Sequence, residues 1–589
     1  MPQQHPAEPA LHLPAQLTAE HWGRARRALL AKMLGEFAYE ELIEPVPDGD
    51  GWLVELPGAA YRFRADRGAY GSWRVDPGSL DGEADPLRFP QHAAQPLGLG
   101  GDTVGHLVRE LTATLIADAH HDATALTAAE LADLDHVALE GRQTGHPWIV
   151  PNKGRLGFSA RDWAAWAPEA RVPQQLPWLA VHRRLAEFRG DPGLYERELE
   201  PAFRDQLGED YLLLPVHPWQ WDETVVGLFA PWIASGEIVP LPSDGDLRLP
   251  QQSIRSFFNL SRPDRCTVKL PLSILNTLVW RGLPVERTLA APAVTAWIHG
   301  LRDRDAFLRD ECRVVLLGEI ASVTVDHPIY RDLPEAPYQY KELLGAIWRE
   351  PLGAHLEPGE RGRTLAALLQ TGSDGRALVT ELVARSGLAP EQWLKRLFAA
   401  MLPPLLHFLY RYGTVFSPHG ENAILLFDDR DVPVRLAVKD FVDDVNISDQ
   451  PLPELADLPA EVDAVLLREG PEYLCQFIHS GLFIGVYRYL APLVEEQLGL
   501  PEDRFWTLVR EEVLAHQRRF PELAERFELF DLLTPRIERL CLNRNRLLLD
   551  GYRDRPHRPH AAVHGHVDNP LCADAVLPTR RRGIVTPAP

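Results

Sequence analysis

Between Phe416 and Val442 the chain alternates a polar loop, an apolar run, a polar turn and a second apolar run, FSPHGENAILLFDDRDVPVRLAVKDFV. Ala423–Phe427 and Val434–Val438 have the composition of strands, and Asp428-Asp429-Arg430-Asp431 with Pro433 supply the turn, so an antiparallel hairpin is expected. Residues equidistant from such a turn face one another. Asn422 and Asp440 are equidistant from position 431, which predicts both side chains at one end, beside His419, Glu421 and Lys439. An amide oxygen and carboxylates converging there, with Glu421 adjoining, suit magnesium carrying a nucleotide's phosphates. An ordinary surface hairpin with a polar mouth is the alternative.

The same reading predicts an amphipathic helix from Thr18, its cap, to about Ile43, then short strands at Trp52–Leu56, Tyr61–Arg64 and Ser72–Val75. Helical patterns run through roughly 102–140 and, after the Pro- and Gly-punctuated stretch 145–157, on to about 206. Tyr211–Val216, Cys266–Leu270 and Arg313–Leu317 read as strands, and the pattern is helical from about 375 to the hairpin and from about 460 to 550. Residues 1–16 read as disordered and the segment after Asp554 as irregular. The fold class is α+β with a mainly helical C-terminal lobe, divided as 17–170, 171–370 and 371–589.

A chain of 589 residues is too long for one ordinary core, and its formal net charge of −22 argues against nucleic acid or an anionic membrane as main partner. Anionic small molecules would then need a locally basic pocket. Five scattered cysteines without a CxxC pair favour a reducing compartment. No secretion signal opens the sequence and no continuous apolar run reaches the roughly 18 residues of a membrane span, so a cytoplasmic protein is expected.

Basic clusters do stand out. His146 precedes Lys153-Gly154-Arg155-Leu156-Gly157, where a Gly-rich turn and two cations suit a carboxylate or phosphate; a solvated basic loop is the alternative. Ser253, Arg255 and Ser256 come next, then Lys269 closing a strand, Thr277 and Arg281. A lysine and an arginine in one cleft would offset polyphosphate charge; snorkelling from element edges is the competing reading. His217, between a buried strand and two tryptophans, reads as packing. There is no GxxxxGK[ST], no GxGxxG between strand and helix, and no GxSxG.

Taken together, GHP at 145–147, KGRLGFS at 153–159, HPWQ at 217–220, SIRS at 253–256, KLPLSILNT at 269–277 with Arg281, HGEN at 419–422 and KDF at 439–441 resemble the NRPS-independent siderophore synthetases of the aerobactin synthetase (IucA/IucC-like) family. LNRNRLL at 542–548, Gly551-Tyr552, Arg558-Pro559 and Asn569-Pro570 are similar to that family's end. The resemblance spans about residues 100 to 572. It implies a hand-like thumb, fingers and palm, with a kinase-reminiscent nucleotide site in the palm. It also implies a ligase that uses ATP and Mg2+ to adenylate citrate or a related carboxylate and passes the acyl group to an amine, hydroxylamine or alcohol, as a homodimer. By position, Ser253, Arg255, Ser256, Lys269 and Arg281 would hold phosphates. His419 would stand near the α-phosphate, Asn422 and Asp440 on the metal side, and His146, Lys153, Arg155 and Thr277 around the carboxylate. One departure is Ile149-Val150, where many members carry a second His-Pro. A small-molecule kinase forming ADP, or a binding protein without turnover, remains the alternative function. Either His419 or His146 could serve as general base.

Overall fold

A computed structural model describes residues 13–82, 85–199, 203, 208–549, 551–558 and 561–572. Most of the expected disordered start, and Pro559, lie outside these residues. The first helix, Ala19–Tyr39, begins at Thr18, whose hydroxyl accepts the His21 N–H at 3.3 Å. It packs against the 23-residue helix Gly101–Ala123 and the strand Trp73–Val75, and the antiparallel sheet Val46–Asp48, Gly51–Leu56 and Ala59–Phe63 adds Val54 and Phe63 to the same core. Leu29, Leu34, Phe37, Leu111 and Leu115 form the core between them.

The middle of the chain builds a six-stranded antiparallel sheet in the order Arg248–Pro250, Ser256–Asn259, Thr267–Lys269, Leu344–Arg349, Glu319–Val325 and Ala186–Gly190. Beside it stands a three-stranded sheet of Tyr211–Pro215, Pro177–His182 and Ile238–Ser243, and the two share the core of Trp178, Leu213, Phe257, Val323 and Trp348. The expectation of helix from 157 to 206 is therefore corrected. Pro177–His182 is an apolar run buried along its centre, a pattern that a core helix and a core strand share.

The C-terminal lobe is mainly helical as expected, around Pro390–Tyr412 and Glu502–Arg519. The predicted hairpin forms there, Ala423–Phe427 with Pro433–Val438, inside a four-stranded sheet completed by Arg361–Thr364 and Val315–Leu316. Pro471–Leu498 is one continuous helix, long and apolar enough by composition to span a membrane, which the count of continuous apolar residues did not register. Of its apolar window 72% is buried inside the fold, so it serves as a core helix here. Its Phe477–Tyr487 portion is π-helical. The stretch after Asp554 is not wholly irregular. Ala562–Asp568 is a strand paired with Arg536–Cys541, turning Ala562 and Val567 inward and leaving His566 exposed, which gave the segment its polar look.

Candidate active site

A cavity of about 470 Å³ opens where the three regions meet. The 145–155 loop, the 276–281 turn, the 417–421 loop and the π-helical segment line it. His146, Lys153, Arg155, Thr277, Arg281, His419 and Glu421, all expected at the site, reach its wall. Of the ten non-glycine residues at positive φ among the described residues, four lie in these motifs: Arg155, Ile254, Thr277 and Asp440. Ile254 at φ 67° and Thr277 at φ 56° are costly, because a β-branched side chain there crowds the backbone. Such strain persists where surrounding structure imposes it, commonly at functional sites.

The hairpin's register corrects the expected facing pair. Ala423 pairs with Val438, and the Lys439 N–H donates to the Asn422 carbonyl at 3.2 Å, so Asn422 faces Lys439 rather than Asp440. The turn closes on Phe427 and Pro433, centred at 430 rather than 431, and an irregularity between Leu426 and Phe427 recovers one of the two residues of difference. The Asn422 amide instead donates to Asp444, while its Oδ1 is buried with no partner. Asp440, at φ 66°, turns toward the central sheet and meets Lys269 Nζ at 3.1 Å and Arg349 Nη1 at 2.9 Å. Lys269 Nζ also lies 2.8 Å from Asp443 and 3.7 Å from Glu319. Burial opposes ionisation of Asp440, but Lys269 and Arg349 hold its carboxyl well below the ordinary range. Burial likewise works against charge on Lys269, and Asp440, Asp443 and Glu319 outweigh it and raise its pKa.

Ser256 pairs with Lys269 across two strands, and the Ser253 hydroxyl is buried without a partner. Arg255 donates to the Gly282 carbonyl and lies 3.7 Å from Asp443. These four residues stand behind the cavity rather than on its surface. Arg281 differs. Among the described residues it forms no ion pair, donates only to the Thr277 hydroxyl at 2.6 Å, and faces the cavity. Burial, helped by Arg255, pushes its pKa down to about 10.

The 153–155 loop is neutralised from within. Arg155 binds Glu169 through two contacts, 2.5 and 2.9 Å, with both side chains almost fully buried. Lys153 Nζ donates to Asp118 at 2.9 Å and to the Thr144 carbonyl at 2.5 Å. His146 Nδ1 accepts from the Trp148 and Ile149 amides at 3.2 and 3.3 Å, which leaves the proton of the neutral ring on Nε2. Burial, with Lys32 nearby, pushes its pKa down to about 3, so the ring is neutral. His419 Nδ1 accepts the Glu421 amide at 3.3 Å, and its Nε2 lies 3.8 Å from Asp444. Burial would lower its pKa, but Asp444 raises it. His217 is buried packing as expected, its Nδ1 accepting the Trp219 amide at 3.1 Å and its ring edge-on to Trp166.

Residues 135–370 match the IucA / IucC family, and residues 391–555 match a family described as ferric iron reductase FhuF-like transporter. The chain is 43% identical to the rhizobactin siderophore biosynthesis protein RhbF of Rhizobium meliloti (strain 1021), over 95% of this chain and 97% of that one. The chain belongs to the IucA/IucC family of siderophore synthetases. It is also 35% identical to an aerobactin synthase of Escherichia coli, over 89% of this chain and 93% of that one. The solved aerobactin synthetase IucC from a hypervirulent pathotype of Klebsiella pneumoniae superposes with a TM-score of 0.82 at 33% identity, covering 94% of this chain and 98% of that chain. The enzyme class is thus a siderophore-forming ligase.

Several residues of this synthetase's cavity and of the charge cluster around Lys269 escaped the sequence reading. Asp443 and Asp444 follow KDF after a single valine, on the four-residue helix Phe441–Asp444, so a motif read one turn further would have included them. Arg349 and Glu319 carry no local signal, because each reaches Asp440 or Lys269 only through sheet pairing. Tyr473, Gln476, Phe477 and Ser480 form an uncharged wall on a helix whose sequence reads only as core.

Proposed function

We propose that this synthetase adenylates a carboxylate, citrate or a citrate or succinate derivative, with ATP, then transfers the acyl group to an amine, hydroxylamine or alcohol, releasing AMP and pyrophosphate. One observation carries the reading: the Arg281 guanidinium, without an ion pair among the described residues, faces the cavity shared by His146 and His419, while Asn422 donates to Asp444 on the same wall and Lys269 pairs with Asp440, close to Asp444 in the chain. A half-buried cation with no ion pair is stabilised when an anion arrives to pair with it. The buried, partnerless atoms of Ser253, Asn276, Arg281 and Asn422 are the polar groups such a ligand would satisfy.

In this mechanism Ser253, Arg255, Ser256, Lys269 and Arg281 hold the phosphates, and Lys269 exchanges Asp440 and Asp443 for phosphate oxygens. The orphaned Asn422 oxygen and the Asp440 and Asp444 carboxylates are the hard oxygen donors that fit Mg2+; Glu421 lies 3.6 Å from Lys439 and fits less well. The metal, when bound, offsets charge on the phosphates. His146, with Nε2 protonated, donates to the substrate carboxylate beside Thr277, while Lys153 and Arg155 shape the pocket through their internal pairs. A carboxylate oxygen attacks the α-phosphorus and the bond to pyrophosphate breaks. The nucleophile's nitrogen or oxygen then attacks the acyl carbon and the bond to AMP breaks. Of the two histidines, His419, made more basic by Asp444, takes the nucleophile's proton, whereas burial leaves His146 too weakly basic for that role.

The three regions correspond on this reading to thumb (17–170), fingers (171–370) and palm (371–589) of a cytoplasmic homodimer. Screening citrate, succinate, α-ketoglutarate and a hydroxamate monoamide against several polyamines, with AMP as the readout, tests the proposal. Carboxylate-dependent AMP is expected, and its absence across the screen sinks the reading.

A further inference from the structure

The C-terminal segment LNRNRLL supplies only Leu542 to the cavity, yet it grips the loop that carries His146. Asn543 is buried, accepts the Val150 N–H at 2.9 Å and donates to the Trp148 carbonyl at 3.2 Å. The same amide donates at 2.8 Å to Glu40, from the end of the first helix. Glu40 is fully buried, and its Oε1 also accepts the Trp148 indole N–H at 2.8 Å and the Asn543 amide N–H at 2.9 Å. Its Oε2 accepts the Arg544 N–H at 2.6 Å. The Trp148 and Ile149 amides fixed in this way are the two donors that orient His146 Nδ1. A continuous series of hydrogen bonds therefore runs from Glu40 and Asn543, through the 148–150 backbone, to an imidazole on the cavity wall.

We propose that Glu40 and Asn543 are positioning residues for the carboxylate subsite. They make recognition of the carboxylate depend on the first helix and the C-terminal segment being docked together over the loop. A neighbouring contact shows what the alternative looks like. Buried Glu110 and Arg546, with half-buried Tyr552, form a cluster with Arg546 Nη2 at 2.6 Å from Glu110, but it makes no hydrogen bond to residues 146–150 among the described residues. Loss of Tyr552's hydroxyl should lower the melting temperature and leave substrate affinity alone. Supporting groups that orient a functional side chain typically affect affinity or rate ~10- to 100-fold when removed.

The proposal rests on the adenylation reading of the cavity, and the test separates the two. Carboxylate-dependent AMP release by the unmodified enzyme checks that reading. Asn543→Ala should then raise the KM for the carboxylate ~10- to 100-fold, with kcat and ATP affinity within ~3-fold. In a His146→Ala background the same change should add nothing, because its effect passes through that ring. If the two losses instead multiply, or if ATP affinity falls along with that of the carboxylate, Asn543 is a stability residue only and the proposal is overturned. Hydrogen exchange gives an answer independent of turnover: amides of residues 148–150 should exchange faster in Asn543→Ala while those of the 423–438 hairpin do not change. Unchanged exchange at 148–150 overturns the proposal. Should Asn543→Ala fail to fold, Glu40→Gln, which keeps an oxygen for the Trp148 indole, takes its place in both experiments, with the same direction and a smaller shift.

Discussion

Arg155 and Arg281 both lie in basic motifs and both border the cavity, the first buried and the second half-buried, yet the fold treats them in opposite ways. Arg155 is matched by Glu169, which also accepts the Trp163 indole N–H at 2.7 Å. Its charge is spent on the protein. Among the described residues Arg281 hydrogen-bonds only to a hydroxyl and forms no ion pair, so its charge is left open to a ligand. Residue type and motif placement were identical guides to the two, and only the location of a carboxylate separates them. A cation in a binding motif is thus a ligand contact when the fold leaves it uncompensated, and a scaffold element when it does not.

The contrast breaks most visibly at Glu169. Removing one partner of a buried ion pair strands the other, so Glu169→Gln should cost ~3–5 kcal/mol of stability by chemical denaturation, with nucleotide affinity kept where the protein is folded. Burial opposes ionisation of Glu169, but Arg155 holds its carboxyl well below the ordinary range. Its contribution is therefore complete above the unfolded pKa of about 4.3 and is lost as pH falls through the lower folded value. The gap between variant and parent should be constant at neutral pH and close in acid. A gap that stays constant down to pH 2, or stability within 1 kcal/mol of the parent at neutral pH, would mean the pair is not the scaffold described.

Lys269 stands between the two types, paired at rest but expected to change partners. Loss of a charge-stabilising contact typically costs ~3–4 kcal/mol in the barrier, so Lys269→Ala and Asp440→Ala should each remove most carboxylate-dependent AMP release, ~10²- to 10³-fold. Near-normal release by either variant, folded, would remove these residues from the chemistry. Arg281→Ala should have the smallest effect, ~10- to 100-fold on the KM for ATP, by loss of one charged hydrogen-bonding group. Because no carboxylate depends on Arg281, its melting temperature should match the parent's. A substantial fall in stability would show that Arg281 has been given the wrong side of the comparison.

Local patterns carried much of the fold. The first helix and its Thr18 cap, the early strands, the 423–438 hairpin and the helical C-terminal lobe are written in alternation and capping that a window of a dozen residues contains. Pairings between distant segments were not legible. Asn422 faces Lys439 because the turn closes on Phe427 and Pro433, centred one residue before 431, and an irregularity at Leu426/Phe427 restores only part of the difference; no local pattern announces either. The partners of Lys153 and Arg155 lie 35 residues before and 14 after, and Glu40 and Asn543 are 503 positions apart. Pro177–His182 failed for a different reason, because an apolar run fixes burial without fixing period.

The central claim is that a substrate carboxylate attacks the α-phosphorus in the cavity between Arg281 and His419. It is tested most directly by supplying the enzyme with ATP, the nucleophile and the carboxylate labelled with 18O, and weighing the nucleotide products. Each turnover should place one labelled oxygen in AMP, since that oxygen joins the α-phosphorus first and stays there when the acyl carbon is taken by the nucleophile. Label in inorganic phosphate with ADP as the nucleotide, or unlabelled AMP alongside the condensed product, would contradict the account.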